Sequence, residues 1–437
     1  MTRAVVIGAG IAGIAAAAAL HGAVDHVTIL ERDVIPSAPV PRRGVPQGNQ
    51  LHNLLARAQE HLEDLLPGFC DRLRELGCGE GVVSSDTHVF ELGVRMPERD
   101  LGLRLLCARR PAIDQAARTL LHPSVELIDD VRVIDLRCAP DGRVSSVVGE
   151  RDGQMVEFSA DIVVDASGPA ALAARWIAAR GGTVPSEEVH ADQWYVSVEV
   201  EPIGEVWDPH RFLLIFPTFP GTRGGLMSPA GDGSWHVSLS GKSGDQIPRT
   251  FDEMVEYSST LEDPAICARL SAARYHGAPE VYRKITATWR RFDRCDSLIP
   301  GLFTIGDSLA GLNPLFGQGI SLIAWEAVTL RNLLRADGLN DLPALSRRFF
   351  EAAIEVVDSA WQLGALLGSS LVVDHDGTTI DLSAALASLV SEDPELHARY
   401  VKIWHLLEPA NALAAPLIQA RLLTRELEMR DPTEVHG

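Results

Sequence analysis

The chain has 437 residues, 46% of them apolar and 22% charged, with a formal net charge of −20 and a pI near 5.1. That length calls for two or three packed units, and that composition excludes wholesale disorder. The acidic surplus disfavours nucleic acid and anionic membrane as partners, because the phosphate term would be repulsive.

Cysteines at 70, 78, 107, 138, 267 and 295 form no Cys-x-x-Cys, so zinc and a dithiol redox pair are poor readings, and reduced cytosolic thiols a better one. The apolar opening "MTRAVVIGAGIAGIAAAAAL" is broken by glycines and lacks a cleavage site after a clean apolar core. No uninterrupted apolar stretch reaches membrane-spanning length. The expectation is a soluble, cytoplasmic protein with no membrane insertion.

"RAVVIGAGIAGIAAAAALHGAVDHVTILERD" predicts a strand over Ala4–Ile7, a tight turn, a helix over Ile11–Leu20, a second strand over His26–Leu30, and then Glu31. Gly8, Gly10 and Gly13 form G-x-G-x-x-G between strand and helix. Gly8 allows the turn, Gly10 lets a pyrophosphate approach the backbone, and Gly13 permits close packing of helix on strand. Unpaired N–H groups at the helix start, from Ile11 and Ala12 onward, attract an anion. Glu31 is placed to accept from a ribose diol and to disfavour a 2′-phosphate. Gly-rich turns join many strands to helices; here strand, helix and acid stand in register and point to dinucleotide binding. On this stretch alone FAD and NAD both remain open.

"RRGVPQGNQLHNLLARAQEHLEDLLPGF" reads by itself as a polar linker before an amphipathic helix. From about 185 to 290, "QWYVSVEV", "RFLLIFPT", "GGLMSP" and "SWHVSLSG" are short β-branched and aromatic runs between Gly/Pro turns, which predict an antiparallel sheet. The loop "PTFPGTRGGLM" is glycine-rich enough to move and gate entry. Late in the chain, "GDSLAGLNPLFGQGIS" follows the apolar run Gly301–Ile305 and precedes a helix from Ile320 to Leu330. Asp307 ends the strand, Pro314 fixes a turn, and Gly317 and Gly319 leave backbone amides uncovered at the helix start. An isolated motif of this kind is better read as a capping Asp with a Gly/Pro loop; its pairing with the amino-terminal glycines reverses that and favours a flavin. From Leu342 onward the pattern is helical and amphipathic.

These motifs together resemble the FAD-dependent monooxygenases of the p-hydroxybenzoate-hydroxylase fold, nearest to bacterial epoxidases and hydroxylases of polyketide tailoring, including polyether epoxidases. "GAGIAG" and "LERD", which brings in Arg32, match the adenosine site, and "GDSLAGLNPLFGQGIS" the second flavin motif. "ARRPAID" matches the helix start whose arginine, here Arg110, approaches FAD, and "DIVVDASGPA" closes the nucleotide domain. The resemblance implies that Arg42 contacts FAD phosphate or ribose, that Gly44 and Val45 lie along the isoalloxazine, and that Val133 meets adenine through its backbone. It also implies that Gly306, Asp307, Pro314, Gly317, Gln318, Gly319 and Ile320 hold ribitol and pyrimidine. The subgroup's R-x-G-V-P-Q-x-x-H-x-H loop departs here: Gln50 replaces the first histidine and His52 matches the second, with a structural and a flavin-contacting role both open.

The implied fold class is α/β: a discontinuous Rossmann-type FAD-binding domain (1–75, 105–184, 285–341), an antiparallel sheet domain for substrate (76–104, 185–284) and a helical carboxy-terminal region (342–437). Trp194, Phe212, Phe216, Met227, Trp235 and His236 are the candidates for the substrate wall. With one Gly-rich fingerprint and no W-x-W, a second nucleotide domain and halogenation recede. The implied activity is flavin-dependent monooxygenation, epoxidation or hydroxylation through a flavin C4a-hydroperoxide, of a hydrophobic polyketide-type secondary metabolite as in antibiotic biosynthesis. Electrons would come from NAD(P)H directly or through a flavin reductase, and no catalytic side chain or metal is named. A non-redox FAD-dependent cyclase and a double-bond reductase are the alternatives, with a monomer or homodimer as assembly.

Overall fold

In the computed structural model the described residues are 1–45, 47–208, 210–218, 221–368, 371–373 and 379–430. Pro46 of the "RRGVPQ" loop, and Phe219 and Pro220 of the loop expected to gate entry, lie outside them. The chain divides into two units. Unit 1 comprises Met1–Leu76, Arg109–His190 and Thr286–Asp358; unit 2 comprises Gly77–Ala108, Ala191–Ile285 and Ser359–Gly437.

Unit 1 is built on a parallel sheet of five strands, β1 (Arg3–Ile7), β2 (His26–Leu30), β3 (Val125–Ile128), β4 (Ile162–Asp165) and β5 (Leu302–Thr304), in the spatial order β5-β4-β1-β2-β3. Val5 pairs with Val163, Val6 with Ile29 and Val164 with Phe303. The inner strands are runs of β-branched and apolar residues because both sheet faces are covered, as parallel sheets require. Helix α1 (Ile11–Leu20) is apolar all round, and Ala15, Ala16, Ala17 and Ala19 are fully buried. A helix without a polar face belongs in an interior, and alanines let its neighbours approach closely. Helix α2 (Arg110–Thr119) opens with Pro111 in its first turn, and α3 (Gly319–Asp337) packs against α1. The late helix therefore runs seven residues past the expected Leu330 and stops at Gly338, whose φ is +62°. Three antiparallel strands, Arg132–Cys138, Val144–Arg151 and Gln154–Ser159, form a separate small sheet.

Unit 2 centres on a sheet whose neighbours run Ala273–Arg290, Ser186–Pro202, Trp235–Lys242, Gly224–Pro229, Phe212–Ile215, Thr87–Glu91 and Val94–Arg95. The sheet is antiparallel as expected except that Phe212–Ile215 pairs parallel with Thr87–Glu91. One face carries Trp194, Val196, Val198, Leu213, Met227, Trp235, Val237 and Leu239, packed against Met254, Tyr257, Ile266 and Leu270 of helices Phe251–Ser258 and Ala265–Leu270. Thr250 and Glu253 close a reciprocal capping box at the start of the first helix. At the carboxy-terminal end, helices Ser383–Glu392, Pro394–Trp404 and Pro416–Arg430 bury Leu389, Leu396, Tyr400, Ile418 and Leu422 against Met96. A short antiparallel pair, Leu371–Val373 with Thr379–Asp381, interrupts the expected helical run.

Candidate functional site

The first fingerprint in unit 1 is a turn that only glycine permits. Gly8 has φ +102° and a side chain there would meet Ala166 O at 2.6 Å; one on Gly13 would stand 1.7 Å from Gly8 O. Gly10 is different. It precedes α1 with no side chain capping the helix, and a Cβ on it would meet nothing nearer than Arg110 Nη2 at 3.8 Å. The amides opening α1, at Ile11 and Ala12, thus face a space that an anion fits.

Glu31 directly follows β2 and is 6% exposed. Its Oε2 accepts from Ala9 N at 2.7 Å and its Oε1 from Asp33 N at 3.0 Å. Arg42 brings Nη1 to 3.2 Å from Glu31 Oε2 and donates through Nη2 to Ala9 O at 2.9 Å. Asp114 on α2 lies 3.7 Å from the same guanidinium and accepts from Arg110 Nε at 3.0 Å. Two arginines and two acids therefore converge beside the α1 start. Arg42, Val45, Gly48, Arg110 and Arg118 line a cleft there. Burial, together with the charge of Arg42, lowers the pKa of Arg118.

The other residues of the expected cofactor site make these contacts within the chain. Gly44 donates to Asp33 Oδ2 at 2.6 Å and Val45 to Arg42 O at 3.1 Å, which sets both at the Glu31 end. Arg32 points outward, with 59% of its side chain exposed. It is Val131 whose N–H meets Glu31 O at 2.8 Å; Val133 lies two residues on, paired with Gly149. The His52 ring contacts Gln50 O and Gln47 Oε1 at 3.2 and 3.3 Å, which anchors it locally.

The second motif meets the first directly. Gly306 (φ +70°) abuts α1, and a Cβ on it would stand 3.0 Å from Ala12 Cβ. Three residues that the sequence reading missed hold this turn. Glu326, fully buried on α3, accepts from Gly306 N at 2.7 Å. Arg290 donates to Asp307 O at 2.9 Å. Asp165, at the end of β4, accepts from Ser167 N, Ala173 N and Ser308 Oγ. Burial raises the Asp165 carboxyl, and its hydrogen bonds pull it back. Burial pushes Glu326 up to about 8, opposed by the Gly306 N–H and reinforced by the charge of Asp307. The visible signal for Glu326 was a lone acid in the apolar run "ISLIAWEAVTL". The other two needed the fold.

Asp307 is half-buried in the turn Gly306–Ser308. Asn313 caps the turn Pro314–Phe316, and Gly317 (φ +65°) closes it. Gln318 precedes α3 without capping it, and none of the described residues stands within 4 Å of where Cβ atoms on Gly317 or Gly319 would be. Ile320 is buried just behind. Unit 1 therefore presents two uncapped, glycine-marked helix starts on the packed helices α1 and α3, with Glu31 beside the first and the turn that carries Asp307 touching α1 at Ala12. This geometry fits an elongated dinucleotide with a phosphate at one helix start and electron-rich atoms at the other.

In unit 2 the expected substrate wall is corrected. Trp194, Met227 and Trp235 are core residues under the helices: Trp194 stands edge-on to Tyr257 at 5.2 Å, and Trp235 edge-on to Trp207 at 5.6 Å. Phe212 is on the other face, but its ring presses on Gly81, where a Cβ would come within 2.7 Å of it. Phe216 and His236 remain on that second face, Phe216 half-buried against Trp404 at 5.0 Å. Strand alternation sends half of any such set each way, and the helices cover the richer half.

No family model matches the chain. It is 29% identical over 382 residues, 83% of its own length and 79% of the relative's, to protein Rv3254 of Mycobacterium tuberculosis (strain ATCC 25618 / H37Rv). Among solved structures it is similar to the flavin-dependent brominase Bmp2, with TM-score 0.72, 14% identity, and 98% and 99% of the two chains covered. It is also similar to 2-methyl-3-hydroxypyridine-5-carboxylic acid oxygenase, with TM-score 0.61, 18% identity, and 84% and 91% covered. No described helix is long and apolar enough to cross a membrane, and no described group of His, Cys, Asp and Glu is arranged to hold a metal. The parallel sheet, the paired glycine turns and these likenesses identify the chain's architecture as the p-hydroxybenzoate-hydroxylase-like FAD-dependent monooxygenase fold.

Proposed function

We propose that this chain is an FAD-dependent monooxygenase that places one oxygen atom of O2 on an alkene or electron-rich ring of a polyketide-type secondary metabolite, by epoxidation or hydroxylation. The observation that carries it is the contact of the Gly306–Ser308 turn with the start of α1 at Ala12, together with the uncapped, glycine-marked starts of both α1 and α3. When bound, the flavin supplies the oxygen-activating chemistry.

The chain's own residues would do the rest. The amides at Gly10 and Ile11 would take the pyrophosphate, with Arg42 and Arg110 neutralising its charge. Glu31 would accept from the adenosine ribose and Asp307 from the ribitol. The amides opening α3 at Gly319 would favour negative charge on the ring edge next to them. Half-buried Leu214, Leu226 and Phe216 offer apolar surface to a substrate skeleton. Reducing equivalents would come from NAD(P)H directly or from a flavin reductase, in a cytoplasmic monomer or homodimer.

The test is product mass from FAD-loaded, reduced protein turned over in labelled O2 with candidate substrates. A gain of one labelled oxygen supports the reading. Unchanged mass with a new ring supports the non-redox cyclase, and a gain of two hydrogens the double-bond reductase.

A further inference from the structure

The face of the unit 2 sheet turned away from the helices has a composition that strand formation does not explain. Its cross-strand pairs are Gln193 with Lys242, Tyr195 with Ser240, Ser197 with Ser238 and Glu199 with His236. On the next strand Leu226 stands beside Ser238, and Ser228 beside His236. Gln193, Ser197, Ser228, His236, Ser238 and Ser240 are each no more than 9% exposed. The same strands place Val196, Val198, Val237 and Leu239 on the helix-covered face, the ordinary β choice.

Burying six polar side chains is costly unless each finds a partner. Ser197 Oγ donates to Ser238 Oγ at 3.0 Å, one hydroxyl satisfying another. Gln193 Nε2 is buried and has no partner among the described residues. If small side chains were needed only for close packing, alanine would serve without the polar cost, and glutamine is not small. Tyr195, Leu214 and Leu226 on this face stay half-buried, so the surface is not fully sealed.

We infer that this face binds an oxygenated ligand, a skeleton bearing hydroxyl or carbonyl groups, in preference to a bare polyene or hydrocarbon. Gln193 Nε2 can only donate and so calls for a ligand oxygen; serine hydroxyls donate or accept and suit either kind of group. Leu214 and Leu226 take the carbon skeleton between those contacts. This rests on the proposed function only in treating the ligand as the substrate. It revises the purely hydrophobic substrate that the aromatic residues suggested, since Trp194, Met227 and Trp235 lie on the helix-covered face.

Equilibrium dialysis of the FAD-loaded protein against matched pairs tests it: a dihydroxyanthraquinone against anthraquinone, and ricinoleic acid against oleic acid. The hydroxylated member of at least one pair should bind at least about tenfold more tightly. That preference should fall below about threefold in Gln193→Leu/Ser238→Ala and return in Gln193→Leu/Ser238→Thr, which restores one hydroxyl. Bound FAD and an unchanged melting temperature would show that the variants fold. Equal affinities within every pair, no binding in any pair, or a preference untouched by the double variant overturns the inference. A wild-type protein that refuses FAD strikes the proposed function instead.

Discussion

Gly306 N donates to Glu326 Oε2 at 2.7 Å, so the turn that presents Asp307 hangs from a carboxyl at the centre of a buried helix. The other oxygen of that carboxyl has no hydrogen-bond partner among the described residues. Burial, together with the charge of Asp307, holds the group up at about 8 in the folded chain, against 4.5 for an ordinary glutamate. Below the ordinary value it is neutral folded or unfolded and has no pH effect. As pH climbs from there to the folded value, the unfolded chain releases the proton and the folded chain keeps it, so stability declines across that window. Glu326→Gln keeps an acceptor for Gly306 and has no proton to lose. Its stability relative to wild type should rise between pH 4.5 and 8, by on the order of 4 kcal/mol at the upper end. A difference that stays flat with pH, measured by calorimetry, contradicts the assignment.

Gly13 and Gly319 should part company. A methyl on Gly13 would lie 1.7 Å from Gly8 O, whereas one on Gly319 would meet nothing within 4 Å. Gly13→Ala is expected to give little soluble protein. Gly319→Val should fold with an unchanged apoprotein melting temperature yet purify with much less FAD, because its side chain covers the α3 amides. Gly317→Val is a poorer probe, since φ +65° there strains any side chain.

Met227→Ala should behave as a core deletion, losing about 3 kcal/mol in urea denaturation while binding FAD and ligand with wild-type affinity in the fraction that folds. A selective loss of ligand binding without loss of stability would return Met227 to the pocket.

Arg42→Ala removes the cation beside Glu31 and one of the two arginines at Asp114. FAD dissociation measured by flavin fluorescence should rise about tenfold or more, as expected for a lost charge-assisted contact. The salt dependence of binding should weaken with it. Unchanged affinity would place the phosphates elsewhere.

The strand–turn–helix of residues 3–20 and its closing acid could be read directly, because a buried parallel strand and a close-packed alanine helix leave local signatures in composition. The late turn was legible for the same reason: Pro314 and Gly317 mark a local turn, closed by Gly317 at φ +65°. What escaped was support arriving from distant segments. Glu326, Arg290 and Asp165 converge on Gly306–Ser308 from a helix and two strands, and no local pattern announces that convergence. The substrate wall went wrong because alternation says that residues sort onto two faces but not which face the helices take. Trp194 and Trp235 were conspicuous by size, and large aromatics bury most area where packing is densest.

Unit 1 is laid down in three passes, and β5 and α3 belong to the last. A ribosome completes β1 and its glycine turn hundreds of residues before Gly306 emerges. Until then β4 is an unpaired sheet edge and Ala12 lacks its neighbour. Any ligand that needs both turns must therefore wait for α3 to emerge, and nascent chains stalled short of α3 are those that quality-control proteases should find first.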